Sequence, residues 1–148
     1  MIRHIWSVIC QSHSIDKESN NISLFNVLEQ VKFSPTPVAA DYDEADFVMI
    51  SLSFEFVSLW ERLGDDETEQ TSVRLVVHDP DGKRVGPDER QMSFSVEKAR
   101  QRTIVRVASF PYSKPGRYEF SIEQESGGRW NSVALVPLTV TTEEWTQP

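Results

Sequence analysis

The chain has 148 residues, a formal charge of −8, 39% apolar and 26% charged residues, and one cysteine. That length suits one domain whose core removes roughly 70% of the unfolded chain's surface from water. The composition excludes a disordered, collagen-like or disulfide-stapled chain, and no apolar run approaches the ~20 residues of a membrane span.

In chain order, His4 to Gln11 and Ile22 to Phe33 read as two β-rich strands joined by the polar turn Asp16 to Asn21. The run Ile5 to Cys10 is too short for a signal-peptide core and no small-residue cleavage site follows it. With a single thiol as well, the expected location is cytoplasmic. Pro35-Thr36-Pro37 and the acids after it form a connection unsuited to a sheet interior. Val48, Ile50, Leu52, Phe54 and Phe56 then alternate with polar residues at the period of two that marks a half-buried strand. Val73, Leu75 and Val77 repeat the pattern, and Asp79-Pro80-Asp81-Gly82 ends it in a strong tight-turn signal. Met92, Phe94 and Val96 follow; from Arg102 to Phe110 both parities carry apolar residues, predicting cover on both faces. Tyr118, Phe120 and Ile122, and then Trp130 to Val140, close the chain, with turns at Ser113 to Gly116 and Ser126 to Gly128. Ser58 to Leu63 and Val96 to Arg102 are the two places where a short helical segment is expected. Roughly eight strands without intervening helices predict an all-β, antiparallel, immunoglobulin-like β-sandwich of about seven to nine strands. It spans residues 1–140 as one domain, with a polar tail at 141–148.

Charge is segregated along the chain. Ten acids and one base lie between Asp41 and Glu69, while seven bases and three acids lie between Lys83 and Arg106. The acidic segment of one copy could meet the basic stretch of another, so self-association is one expected use of the split. Net −8 opposes nucleic-acid binding, although Lys98, Arg100, Arg102 and Arg106 could form a local stripe; a solvated strand face is the expected reading. No membrane contact is expected.

No catalytic template fits. Cys10 with His13 three residues on invites a nucleophile–base pair, but a straight strand points the two to opposite faces, and a thiol in an apolar strand is expected to pack. His4, Cys10, His13 and His78 lack zinc spacing: His4 and Cys10 are roughly 20 Å apart along an extended strand. Asp41, Asp43 and Asp46 offer carboxylates for calcium, yet the EF-hand order is absent and a hydrated acidic loop is the usual meaning of such a run. There is no P-loop, G-x-G-x-x-G or G-x-S-x-G. No cofactor is expected. Asn21-Ile22-Ser23 is a glycosylation sequon that has no use without secretion.

Aromatic residues remain. Trp60 borders the acidic segment and Trp145 lies in the polar tail, so these two are the candidate partner contacts.

Three stretches carry a resemblance. Ser7-Val8-Ile9-Cys10-Gln11-Ser12 with Asn21-Ile22-Ser23-Leu24-Phe25-Asn26-Val27 resembles the opening hairpin of a family of small bacterial domains of unknown function. Arg74 to Lys83, with its D-P-D-G turn, is similar to that family's central strand, and Phe110 to Phe120 with Val136 to Val140 to its closing pair. The P-G-x-Y-x-F run also resembles penultimate strands of immunoglobulin-like sandwiches. The resemblance implies a cytosolic β-sandwich and brings no site residues; the acidic stretch Glu61 to Thr71 departs from it. The expected function is a non-enzymatic binding or scaffolding domain with a protein partner or a second copy. The alternative is a calcium-dependent module or metal-dependent hydrolase using the 41–46 loop.

Overall fold

The apolar alternation becomes nine strands in the computed structural model, which describes residues 1–33, 47–64 and 69–142, with only the backbone at 87–90. In order they are β1 (Ile2–Ile15), β2 (Ile22–Val27), β3 (Gln30–Phe33), β4 (Val48–Arg62), β5 (Glu69–His78), β6 (Arg84–Val96), β7 (Arg100–Tyr112), β8 (Gly116–Ser126) and β9 (Arg129–Thr142). The described residues contain no helix, and so none long and apolar enough to cross a membrane. Both segments expected to be helical are corrected. Residues Ser58 to Arg62 stay extended because β4 is bonded on both edges, with Trp60 opposite His4 on one side and Gln101 on the other. Residues 97–99 make the tight connection between β6 and β7.

The strands form two sheets, ordered β2-β1-β4-β7 and β3-β9-β8-β5-β6. Every pairing is antiparallel except β3 with β9, which is parallel. The single strand expected over Ile22 to Phe33 is divided, because the chain crosses from one sheet to the other at Leu28-Glu29. The Leu28 N–H donates to Ile9 O at 2.8 Å on the first sheet, and Thr139 N–H donates to Glu29 O at 3.0 Å on the second.

The sheets meet over an aromatic core. Phe54, Phe56 and Trp60 of β4 share one parity and point inward with Phe110 of β7; Tyr118, Phe120 and Ile122 of β8 come from the other sheet, and all are buried. Each such side chain contributes about 1.5–3 kcal/mol by leaving water. A polar strand of contacts lies at one side of this core. His4 Nε2 is 2.7 Å from Ser7 Oγ, which is 2.6 Å from Ser58 Oγ, and the His4 ring stands edge-on to Trp60 at 5.2 Å.

Burial pushes the His4 imidazole below its ordinary pKa, against a smaller opposing hydrogen bond with the Trp6 backbone. The unfolded chain therefore takes up the His4 proton more readily than the folded one. Stability due to neutral His4 is complete above about pH 6.5 and falls as the pH drops below that value. Urea unfolding at pH 7.5 and 5.5 is expected to show a larger loss for the native chain than for His4→Asn. Equal losses would remove His4 as the cause.

Turn chemistry fixes the end of the fold opposite the β6–β7 turn. Asp79 Oδ1 accepts the N–H groups of Asp81 and Lys83, both at 2.9 Å, and Gly82 takes φ 81°. The Lys114 ammonium pairs with Asp81, and this contact raises its pKa. Tyr118, fully buried, reaches back from β8 to the preceding turn. Its hydroxyl accepts Ser113 N–H at 2.9 Å and Lys114 N–H at 3.1 Å and donates to Lys114 O at 2.7 Å. Tyr118→Phe keeps the ring and removes the hydroxyl's bonds to the backbone of half-buried Ser113 and exposed Lys114. It is expected to cost about 0.5–1.5 kcal/mol in urea unfolding, and an unchanged midpoint would contradict the assigned bonds.

Candidate functional site: a cleft beneath the first hairpin

β1 and β2 are bonded to each other from Cys10 to Ile15 and from Ile22 to Val27, but β1 is bonded to β4 only from Ile2 to Cys10. Beyond Cys10 the two-stranded arm leaves the sheet and bends across its outer face. Two contacts fix its course. His13 Nδ1 meets Glu55 Oε2 on β4, and Arg102 Nη2 of β7 donates to Asn20 Oδ1 at the arm's tip, 2.9 Å away. β7 is two strands from β1 in the sheet, so the tip spans most of that face. The tip is built locally. Asp16 Oδ1 accepts the N–H groups of Ser19 and Glu18, both at 2.8 Å, which holds its carboxyl below the usual range. Asn20 takes φ 59°, a conformation asparagine tolerates well.

The face beneath the arm is apolar. Because Phe54, Phe56 and Trp60 point to the core, Glu55, Val57 and Leu59 point outward. The register sets Cys10, Val8 and Trp6 of β1 beside them on one flank, and Arg106, Ile104 and Arg102 of β7 on the other. An outer sheet face is normally polar. Here Val57 and Cys10 are 0% exposed and Glu55 8%, which places them under cover. A register shift between His4 and Trp6 lets β1 send His4 inward and Trp6 outward.

Cover is incomplete toward the tip. A cleft of about 770 Å³ opens there, with Trp6, Leu59 and Ile104 as floor and Ile15 and Ile22 contributed by the arm. Asn20, Asn21, Lys98, Arg100 and Arg102 stand among its lining residues, with Glu97 as the only acid of the lining among the described residues. Its volume lies in the range of small-molecule sites, and its lining is mixed, with five apolar side chains set among eight polar or charged ones.

Most of the residues singled out from the sequence stand elsewhere, or change their meaning. Trp60 is corrected: it is 1% exposed, its Nε1 donates to Thr103 Oγ1 at 3.0 Å, and it packs on Phe94. It is a core residue, because its parity along β4 is that of Phe54 and Phe56. Trp145, Asp41, Asp43 and Asp46 lie outside the described residues. Cys10 is buried, and desolvation, aided by the Glu55 charge, pushes its thiol pKa up, away from a reactive thiolate. Among the described residues no group of three or more His, Cys, Asp or Glu is arranged to hold a metal ion.

The basic stripe is divided in use. Arg106 Nε stands 3.5 Å from Glu55 Oε1, and Arg100 Nε stands 3.9 Å from Glu61 Oε1, which also receives Arg3 through its other oxygen at 2.6 Å. The pairing of β4 with β7 therefore brings parts of the acidic and basic segments together within one chain. Sequence reasoning missed Trp6, Leu59 and Ile104 as a unit. The signal available was apolar residues on both parities of β7, which marks this covered face.

Compared with known proteins, the chain matches no family model and no curated protein sequence.

Proposed function

We propose that this chain is a non-enzymatic binding domain of the immunoglobulin-like kind, taking a small ligand in the cleft beneath its β1–β2 arm. The observation that carries the reading is the cleft itself: an apolar floor of Trp6, Leu59 and Ile104 roofed by a folded-back hairpin on what would otherwise be a solvated sheet face. The immunoglobulin-like assignment is supported by the strand order, the parallel β3–β9 edge pair and the back-bonded Tyr118 hydroxyl, a device typical of that fold. Membership of the family of small bacterial domains is proposed on the sequence resemblance alone. A cytoplasmic location is proposed on the single thiol.

A second reading, a protein partner or second copy, is favoured by edge strand β2. Phe25 and Val27 on it are 51% and 49% exposed, and an edge strand is a template for pairing. Thermal melts against a panel of small organic ligands test the first reading, using the native chain and Ile104→Glu. A ligand that binds the native state raises the midpoint by mass action. Hits on the native chain that vanish in folded Ile104→Glu support the cleft. Hits shared equally by both chains would remove it, and light scattering of native chain and Phe25→Glu then tests association through β2.

A further inference from the structure

Resting on the reading of the cleft as the binding site, we propose that its ligand is a small amphipathic organic anion, an apolar chain or ring system ending in a carboxylate. Charge points to the sign. The chain carries −8 overall, yet among the described residues the cleft lining holds three bases and one acid. Geometry points to the arrangement. Apolar Trp6, Leu59 and Ile104 form the floor, whereas Lys98, Arg100 and Arg102 are grouped on β7 and the turn that leads into it. A ligand apolar along its length and anionic at one end satisfies both halves at once.

The bases are available for this in different degrees. Lys98 is exposed and meets no carboxylate among the described residues. Arg100 is exposed and holds Glu61 only at 3.9 Å, a distance that leaves its guanidinium free to recruit a closer oxygen. Arg102 is half-buried and is oriented by Asn20 Oδ1 at the arm's tip, so one nitrogen is anchored while the rest of its planar fork remains to receive a carboxylate. The arm thus contributes both apolar contacts, through Ile15 and Ile22, and the group that orients the anion-binding arginine. A membrane surface fits the site less well. The floor lies beneath the arm and not on a protruding face, so a free single-chain anion enters where a bilayer plane does not.

The test is calorimetry on the full chain with decanoate, decanol and decyltrimethylammonium, each below its aggregation concentration. Decanoate is expected to bind at least tenfold more tightly than decanol, and the ammonium compound more weakly than either. Dodecanoate should bind more tightly than decanoate by up to about fifteenfold, since it adds two methylenes and each buried methylene is worth at most about fourfold in affinity. The double variant Lys98→Ala/Arg100→Ala, which keeps the Arg102–Asn20 contact at the arm's tip, should bring decanoate down toward the level of decanol, and raised salt should do the same in part. Equal affinity of native chain for decanol and decanoate, abolished by Ile104→Glu, would overturn the anion while leaving the cleft in place. Absence of binding by all three probes would overturn both. Co-sedimentation with anionic phospholipid vesicles, in a chain that takes no free decanoate, would overturn the free-anion assignment in favour of a membrane surface.

Discussion

Phe120→Ala is expected to lower unfolding stability by about 3–5 kcal/mol, the range for deleting a buried phenyl ring. For a domain of this size that is a fall of roughly 6–20 °C in melting midpoint. The reason is position. Phe120 lies on β8 in the second sheet, 1% exposed, and its ring contacts Phe54 at 5.8 Å, Phe56 at 6.0 Å and Phe110 at 6.0 Å, all on the first sheet. It is therefore the side chain that ties the two layers at their centre. Two of the neighbouring rings stand on β4, which is bonded to both β1 and β7, so the site collapses little and the cost sits toward the top of the range. Total stabilities are about 5–15 kcal/mol, so this change brings the domain close to unfolding. Phe120→Leu, which keeps most of the volume, should lose far less. Equal loss for both, measured by urea unfolding, would mean that the cavity is not the cause.

Trp60→Ala should rival it, at about 3–5 kcal/mol. Truncation removes the His4 and Phe94 ring contacts and leaves the half-buried Thr103 hydroxyl without its indole donor. The new void would adjoin a partly open hollow of about 190 Å³ lined by Trp60, Phe56, Met92 and Ile122 among others. An apolar void left by a deleted ring can take a small aromatic guest. Indole added to Trp60→Ala should therefore restore part of the lost midpoint and have no such effect on the native chain. A variant as stable as the native chain would contradict the buried position of Trp60.

That residue also shows how sequence and structure part company. Trp60 reads as a surface aromatic when judged by its neighbours Glu61 and Arg62, yet its parity with Phe54 and Phe56 already marks the inward face. Ser58 hides the continuity, since a serine on an apolar face looks like an interruption; it is buried because Ser7 takes up its hydroxyl. The turns were legible for a local reason. Asp79-Pro80-Asp81-Gly82 and Pro115-Gly116 encode their backbone angles in the residues themselves, and Tyr118 sits at fixed spacing from the second.

The arm was not legible, because nothing in a period of two says that a hairpin stops following its sheet. What the sequence did carry was its consequence. Val57, Ile104 and Val8 are apolar on the parity that should face water, and the arm is the cover that they require. The charge split reads differently as well. Glu55 meets Arg106, and Glu61 meets Arg3, within the chain, so those contacts are not spare charge awaiting another copy.

The most direct test of a ligand-binding cleft is a titration of the isotope-labelled chain with decanoate, followed through its amide chemical shifts. Ligand in the cleft predicts changes grouped on Trp6, Leu59, Lys98, Arg102 and Ile104 and on Asn20 at the arm's tip. Changes grouped instead around Glu69 and Gln124, which line a separate hollow beside Met1, would contradict it, as would a spectrum that decanoate leaves unmoved.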